Sequence, residues 1–152
     1  MSLLHKPCAL ALLAALSLGC RGRSHDLEEG LYAFTAESVA RDDCGRLSAS
    51  MALFTADLVV AGNTVRLKNA LYGMQLVGAF LSNVEQFQAS GSVGNQSETI
   101  RGAECFLDLV TVSLEGTSRS PTEFTGTARL RYEARTDACG CEVWTTYRAV
   151  RQ

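Results

Sequence analysis

A strict two-residue alternation between Phe124 and Ala134 constrains this chain more than any other feature. Phe124, Gly126, Ala128, Leu130, Tyr132 and Ala134 fall on one side, and Thr125, Thr127, Arg129, Arg131 and Glu133 on the other. Side chains alternate across a strand but wind around a helix, so a helix would mix the two sets. The pattern recurs upstream. Within 31–40, Tyr32, Phe34 and Ala36 oppose Thr35 and Glu37, and Ala52, Phe54, Ala56, Leu58 and Val60 form another face. Ala61-Gly62-Asn63 then reads as a tight turn, since Gly and Asn accept positive φ at low cost. Val65 and Leu67 resume the alternation beyond it. Further strands are predicted over 74–81, 84–93, 106–115 and 143–150. Residues 116–121 read as a hairpin loop. Gly91, Gly94 and Gly102 read as parts of a flexible loop rich in Ser, Asn and Gln.

About eight strands with short connections and no helix define an all-β chain. Strands that follow one another through hairpins favour an antiparallel up-and-down meander. A closed barrel is favoured over a sandwich or an open curved sheet, because closure removes the edges that invite aggregation.

Ahead of the β region lies a different kind of sequence. One basic side chain, Lys6, precedes an apolar run over 9–18 in which only Ser17 is polar. The run is about half the roughly 20 residues that a membrane-spanning helix needs. A basic start, a short apolar stretch and a small residue before the cut form the secretion-signal pattern. Ser17-Leu18-Gly19-Cys20 closes the run, and this stretch resembles the lipobox of bacterial lipoprotein precursors. The resemblance covers about the first 20 residues. It implies cleavage before Cys20, a thioether-linked diacylglyceryl group on its sulfur, and acylation of the new amino group. Several acyl chains on one residue hold a protein firmly to a membrane. Arg21 follows the cysteine, so the acidic signal that retains some lipoproteins in the inner membrane is absent. The resemblance thus implies a chain anchored to the outer membrane of a bacterial envelope, facing the periplasm or the exterior. The alternative is an ordinary secretion signal with a coincidental cysteine. The expected organisation is a signal peptide over 1–19, a lipidated tether over 20–29 and one β domain over 30–152. The polar stretch 21–29 would span roughly 16 Å as a flexible chain.

Charge excludes several partners. The chain holds 14 basic and 16 acidic residues, and loss of Lys6 leaves a balance of −3. No basic excess is available to neutralise nucleic-acid phosphates, and no polybasic face suggests anionic lipid.

Of six cysteines, Cys8 leaves with the signal and Cys20 carries lipid. Cys44, Cys105, Cys139 and Cys141 remain, and an even number in an exported domain reads as two disulfides. Three pairings exist. Bridging Cys139 to Cys141 would strain the geometry, as one residue separates them. In a meander, Cys44 follows the first strand, Cys105 opens the sixth, and Cys139 and Cys141 lie between the seventh and eighth. All four then fall at one end of the barrel. Closure sets the eighth strand beside the first, so the expected bridges are Cys44–Cys141 and Cys105–Cys139. Each would stabilise the fold by about 4 to 5 kcal/mol on chain-entropy grounds. A four-thiolate zinc site or a C-x-C copper site is the competing reading, but zinc favours C-x₂₋₄-C pairs, and redox catalysts use C-x-x-C.

Catalytic constellations are sparse. The two histidines are His5 in the signal and His25 in the tether, so the domain lacks the usual general base. Ser90 and Ser113 therefore lack an activating partner. Asp42 and Asp43 point apart on an extended chain and read as a turn. Asp57 and Asp108 interrupt apolar strands, where a carboxyl faces water, meets an arginine, or is buried as an acid with a raised pKa. No phosphate-binding glycine loop is present, and no cofactor or metal is predicted.

Binding is the remaining class. An eight-stranded barrel is just wide enough to be filled by side chains or to hold one small ligand. Tyr32, Phe34, Phe54, Phe87, Phe124, Tyr132 and Tyr147 are the candidate ligand-lining residues, interspersed with Ala36, Ala56, Gly78, Ala89, Gly91, Gly126 and Ala128. One reading is a calyx for an apolar ligand, similar in fold alone to a lipocalin, without a lipocalin signature motif. The other is a packed interior in which small residues let strands bend. Trp144 is expected to project outward beside Arg148, either anchoring a partner or covering a seam. The sequence thus predicts a non-enzymatic envelope lipoprotein with a binding or structural role, its partner an envelope protein or a small apolar molecule. The alternatives are an apolar-ligand carrier, an inhibitor of a secreted enzyme such as lysozyme, and last a carboxylate-dependent enzyme built on Asp57 or Asp108.

Overall fold

The computed structural model describes residues 27–152. The expected signal peptide, Cys20 and the tether as far as residue 26 lie outside the described residues, as do both histidines.

Eight antiparallel strands follow in order: β1 (Gly30–Asp42), β2 (Ala52–Ala61), β3 (Thr64–Lys68), β4 (Leu76–Phe80), β5 (Gln86–Ile100), β6 (Ala103–Ser120), β7 (Glu123–Glu133) and β8 (Cys141–Arg151). Each pairs with its neighbours in sequence, and β8 returns to pair with β1, closing the sheet in a ring. The seam runs from Tyr32 opposite Arg151 to Asp42 opposite Val143. Two register shifts in β1, after Ala36 and after Val39, bend the strand where it turns around the ring. The β2–β3 hairpin turns on Gly62, at φ +59°, as the Ala61-Gly62-Asn63 signal predicts.

Two predicted loops prove to be strand. Residues 91–100 continue β5, paired with β6 as far as Ile100 opposite Ala103. The hairpin turns at Arg101 and Gly102, both with positive φ. The Ser/Asn/Gln-rich stretch is carried by the Leu- and Val-rich strand it pairs with, which supplies the buried side chains. Residues 116–120 likewise stay in β6, leaving only Pro121 and Thr122 in the β6–β7 turn. Gly116 is needed for space, not for a turn: a Cβ there would overlap the Phe87 ring. Gly91 similarly lets Gln75 and Leu76 approach its backbone.

The domain also begins earlier than predicted. Leu27 is 3% exposed and joins the core. The Glu28 amide donates to the Pro121 carbonyl at 2.7 Å, and its carboxylate meets Arg151 at 2.6 Å. Residues 27–29 are therefore part of the barrel's lower closure, because burying Leu27 outweighs the polar character of its neighbours.

The interior is filled by side chains. Tyr32, Phe34, Phe87, Phe124 and Tyr147 are all fully buried. Phe124 lies 5.1 Å from Tyr32, 5.5 Å from Phe34, 5.2 Å from Phe87 and 6.1 Å from Tyr147, centroid to centroid. Most of these pairs are edge-on or tilted, which the ring quadrupoles favour. Phe54, only partly buried, stacks on Phe34 at 4.5 Å. The opposite, upper end holds both disulfides: Cys44–Cys141 with Cα atoms 5.3 Å apart, and Cys105–Cys139 at 5.6 Å. This is the connectivity that strand counting picks out.

Truncating Phe124 removes the ring that touches four others. Phe124→Ala is expected to lower stability by about 3–5 kcal/mol, read from the urea midpoint of the oxidised protein. A loss under about 1 kcal/mol would show that the rings are not a packed layer.

Candidate functional site

The residues singled out from the sequence divide by face. Tyr32, Phe34, Phe87, Phe124 and Tyr147 point inward and spend their surface on one another. The Tyr147 hydroxyl donates to the Glu115 carbonyl at 3.2 Å, and burial pushes its pKa well above the usual tyrosine range. The Tyr32 hydroxyl donates to the Glu28 carbonyl at 2.8 Å; burial, opposed by Arg151, raises its pKa to about 12. Tyr132 lies higher in the barrel, under the Arg46 guanidinium at 5.5 Å.

Asp57 and Asp108 are not brought together. They stand on β2 and β6, four strands apart in a ring of eight. Asp57 accepts from Asn69 at 3.1 Å, and Asp108 meets Arg135 at 3.5 Å. Asp42 caps the loop after β1, its Oδ2 accepting from the amides of Arg46 at 2.7 Å and Leu47 at 2.8 Å. Asp43 pairs with Arg41 instead.

A half-buried polar cluster covers the upper opening. Arg46, in the loop after β1, reaches Glu98 of β5 at 3.2 Å. The Tyr72 hydroxyl donates to the same carboxylate. Burial alone would raise the Glu98 pKa, but the Tyr72 hydrogen bond and the Arg46 charge outweigh it and hold the carboxyl below the usual range. This cluster was not foreseen, since its members are separated by long stretches of chain and carry no shared motif.

The outer face offers a more open arrangement. Trp144 of β8 is 43% exposed. It lies opposite Arg129 on β7, whose guanidinium covers one part of the ring at 4.8 Å from the centroid. Arg148, the partner expected from sequence, is four residues along the same strand, about 13 Å away at strand spacing. It turns instead to Glu123, with two hydrogen bonds of 2.8 Å. Glu142 fixes the tryptophan from behind. It accepts from Arg129, from Arg41 at 3.3 Å and from the Trp144 indole N–H. The Arg129 hydrogen bond, against opposition from burial and with help from Trp144 and Arg41, keeps the Glu142 carboxyl below its usual range. The ring is thus held in place before any ligand arrives.

Beside it lies a hollow of about 390 Å³ bounded by Trp144, Arg129, Glu115, Ser113, Thr127 and Thr146. Its carboxylate and hydroxyls can accept and donate hydrogen bonds, and its indole can stack. Among the described residues no group of three or more His, Cys, Asp or Glu is placed to hold a metal ion. Glu115, Ser113, Thr127, Arg129 and Glu142 were missed as site residues. The signal available was the alternation itself, which sends Thr127 and Arg129 outward; the register that sets them beside Trp144 was not readable. The chain matches no protein-family model, and no curated protein matches it.

Two outcomes are expected. Trp144 is the single tryptophan, so Arg129→Met, which uncovers the indole, should shift its emission to the red; an unchanged spectrum would mean that the guanidinium does not cover the ring in solution. Glu98 has a depressed folded pKa, so its contribution exists above its unfolded pKa of about 4.3 and is lost as pH falls through the lower folded value. Glu98→Gln should cost about 1 kcal/mol at pH 7, with the difference from wild type shrinking below about pH 4. A gap that widens in acid would contradict this.

Proposed function

We propose that this chain is a non-enzymatic, lipid-anchored protein of the bacterial cell envelope that recognises a partner with the outside of its barrel. The anchor and the compartment rest on the lipobox-like stretch ending in Cys20, and the two disulfides suit an oxidising compartment. The barrel is apolar within, while β7 sends Thr125, Thr127, Arg129, Arg131 and Glu133 outward. A membrane-spanning barrel carries the reverse pattern, with an apolar band toward lipid. Attachment would therefore come from acyl chains and not from the strands.

The observation that carries recognition is the contrast between the two faces. Inside, the aromatic side chains that could have lined a calyx occupy the space themselves. Outside, an exposed tryptophan is held rigidly by Arg129 and Glu142. A pre-positioned aromatic loses little conformational freedom on binding, and Trp and Arg are the residues most often found to dominate binding energy.

The test is made in cells, with a photoreactive side chain at position 146 beside Trp144, or at position 68 on β3. Covalent adducts are expected from position 146, absent from position 68, and lost when Trp144→Ala is added. Palmitate should label the chain and be lost in Cys20→Ala. Adducts from position 68 alone, or none from position 146 in chains that carry palmitate, would overturn surface recognition; failure of wild type to take up palmitate would overturn the anchor.

A further inference from the structure

We infer that the ligand of this outer face is a neutral linear oligosaccharide, lying across the strands β4 to β8. The inference rests on the surface-recognition reading and names the ligand class of the same site.

The hollow beside Trp144 is not isolated. A second, of about 490 Å³, lies over β4, β5 and β6 and meets the first at Ser113 and Glu115. Register explains how they join. Val77 faces Ser90, Ser90 faces Ser113, Ser113 faces Arg129, and Arg129 faces Trp144. One straight row of side chains thus crosses five strands, about 19 Å at the usual spacing. The parallel row below it runs Ala79, Gln88, Glu115, Thr127, Thr146. The middle of both rows is short: Ser90, Ser113 and Thr127 leave a trough between the indole at one end and Val77 and Leu81 at the other.

The lining selects the ligand. Hydroxyls donate and accept alike, and so do the hydroxyls of a sugar. A sugar ring also has a face of C–H bonds that stacks on an indole. Charge gives no preference for an anion: Arg129 is spent on Glu142, and the trough itself holds Glu115. A nucleic acid or an acidic polymer would need unpaired cations. An extended peptide binds best by adding a strand to a free sheet edge, and each of the strands beneath the trough is paired on both sides there. A chain of sugar units needs no edge and can run perpendicular to the strands. The Glu115 carboxylate accepts only long hydrogen bonds, 3.4 Å from Gln88 and 3.5 Å from Thr127, so it remains open to a ligand hydroxyl.

The full lipidated chain, in a sugar-free zwitterionic detergent, is titrated with chitotetraose, cellotetraose and maltotetraose while the emission of Trp144 is followed. At least one should shift it saturably and bind about tenfold tighter than its own disaccharide, because the trough spans several units. Glu115→Gln should weaken that binding by about tenfold, and Trp144→Ala should abolish it by calorimetry, with strand content unchanged by circular dichroism. The inference is overturned if no tetrasaccharide moves emission or heat, if both variants bind as wild type does, or if only polygalacturonate binds. In each case Trp144-dependent adducts from position 146 would leave surface recognition standing with another ligand, whereas their absence would remove both.

Discussion

Between Tyr32 opposite Arg151 and Asp42 opposite Val143, β1 and β8 turn an open sheet with two edges into a ring. Edges are the part of a sheet most prone to wrong pairing, so this seam protects the remaining seven interfaces. Both ends of it are reinforced. Cys44–Cys141 ties the loop after β1 to the start of β8, and Glu28 grips Arg151 at the other end. A ring of eight strands has room for little more than side chains, and once it closes its interior must be filled. Phe124, Phe34, Phe87, Tyr32 and Tyr147 do so, and the glycines opposite them are where the fit is tightest. Gly116 yields its Cβ volume to Phe87, and Gly126 lets the β6 backbone come close.

A filled interior moves function to the surface. The outer face divides into salt-bridged rims and a trough of small hydroxyl side chains between them. Trp144 is exposed without being free, since Arg129 and Glu142 both hold it. The cluster of Arg46, Tyr72 and Glu98 serves a different end, drawing the loop after β1 down onto β5 and closing the barrel above Tyr132.

Much of the architecture was legible because burial imposes period two. The alternation in β7 could belong to no helix, and eight such segments with short links left few topologies. The cysteines were legible for a related reason: in a meander, the parity of the strand decides the end at which a residue lies. Residues 91–100 were misread because their Ser, Asn and Gln content signals a loop locally. Their structure comes from β6, which no local reading includes. Gly116 was misread because a glycine that makes room for a ring looks, in sequence, like one that makes a turn. Leu27 was hidden by the charges around it.

What the sequence by itself determined, then, was the kind of fold, its strand order and the end at which its disulfides lie, since period and parity are properties of the chain alone. What tertiary structure decided was the pairing of side chains across strands. Arg129, and not Arg148, covers Trp144 because register sets β7 against β8 with those two residues opposite. The row from Val77 to Trp144 exists only when five strands are aligned, and that alignment is set by the packing of the rings inside.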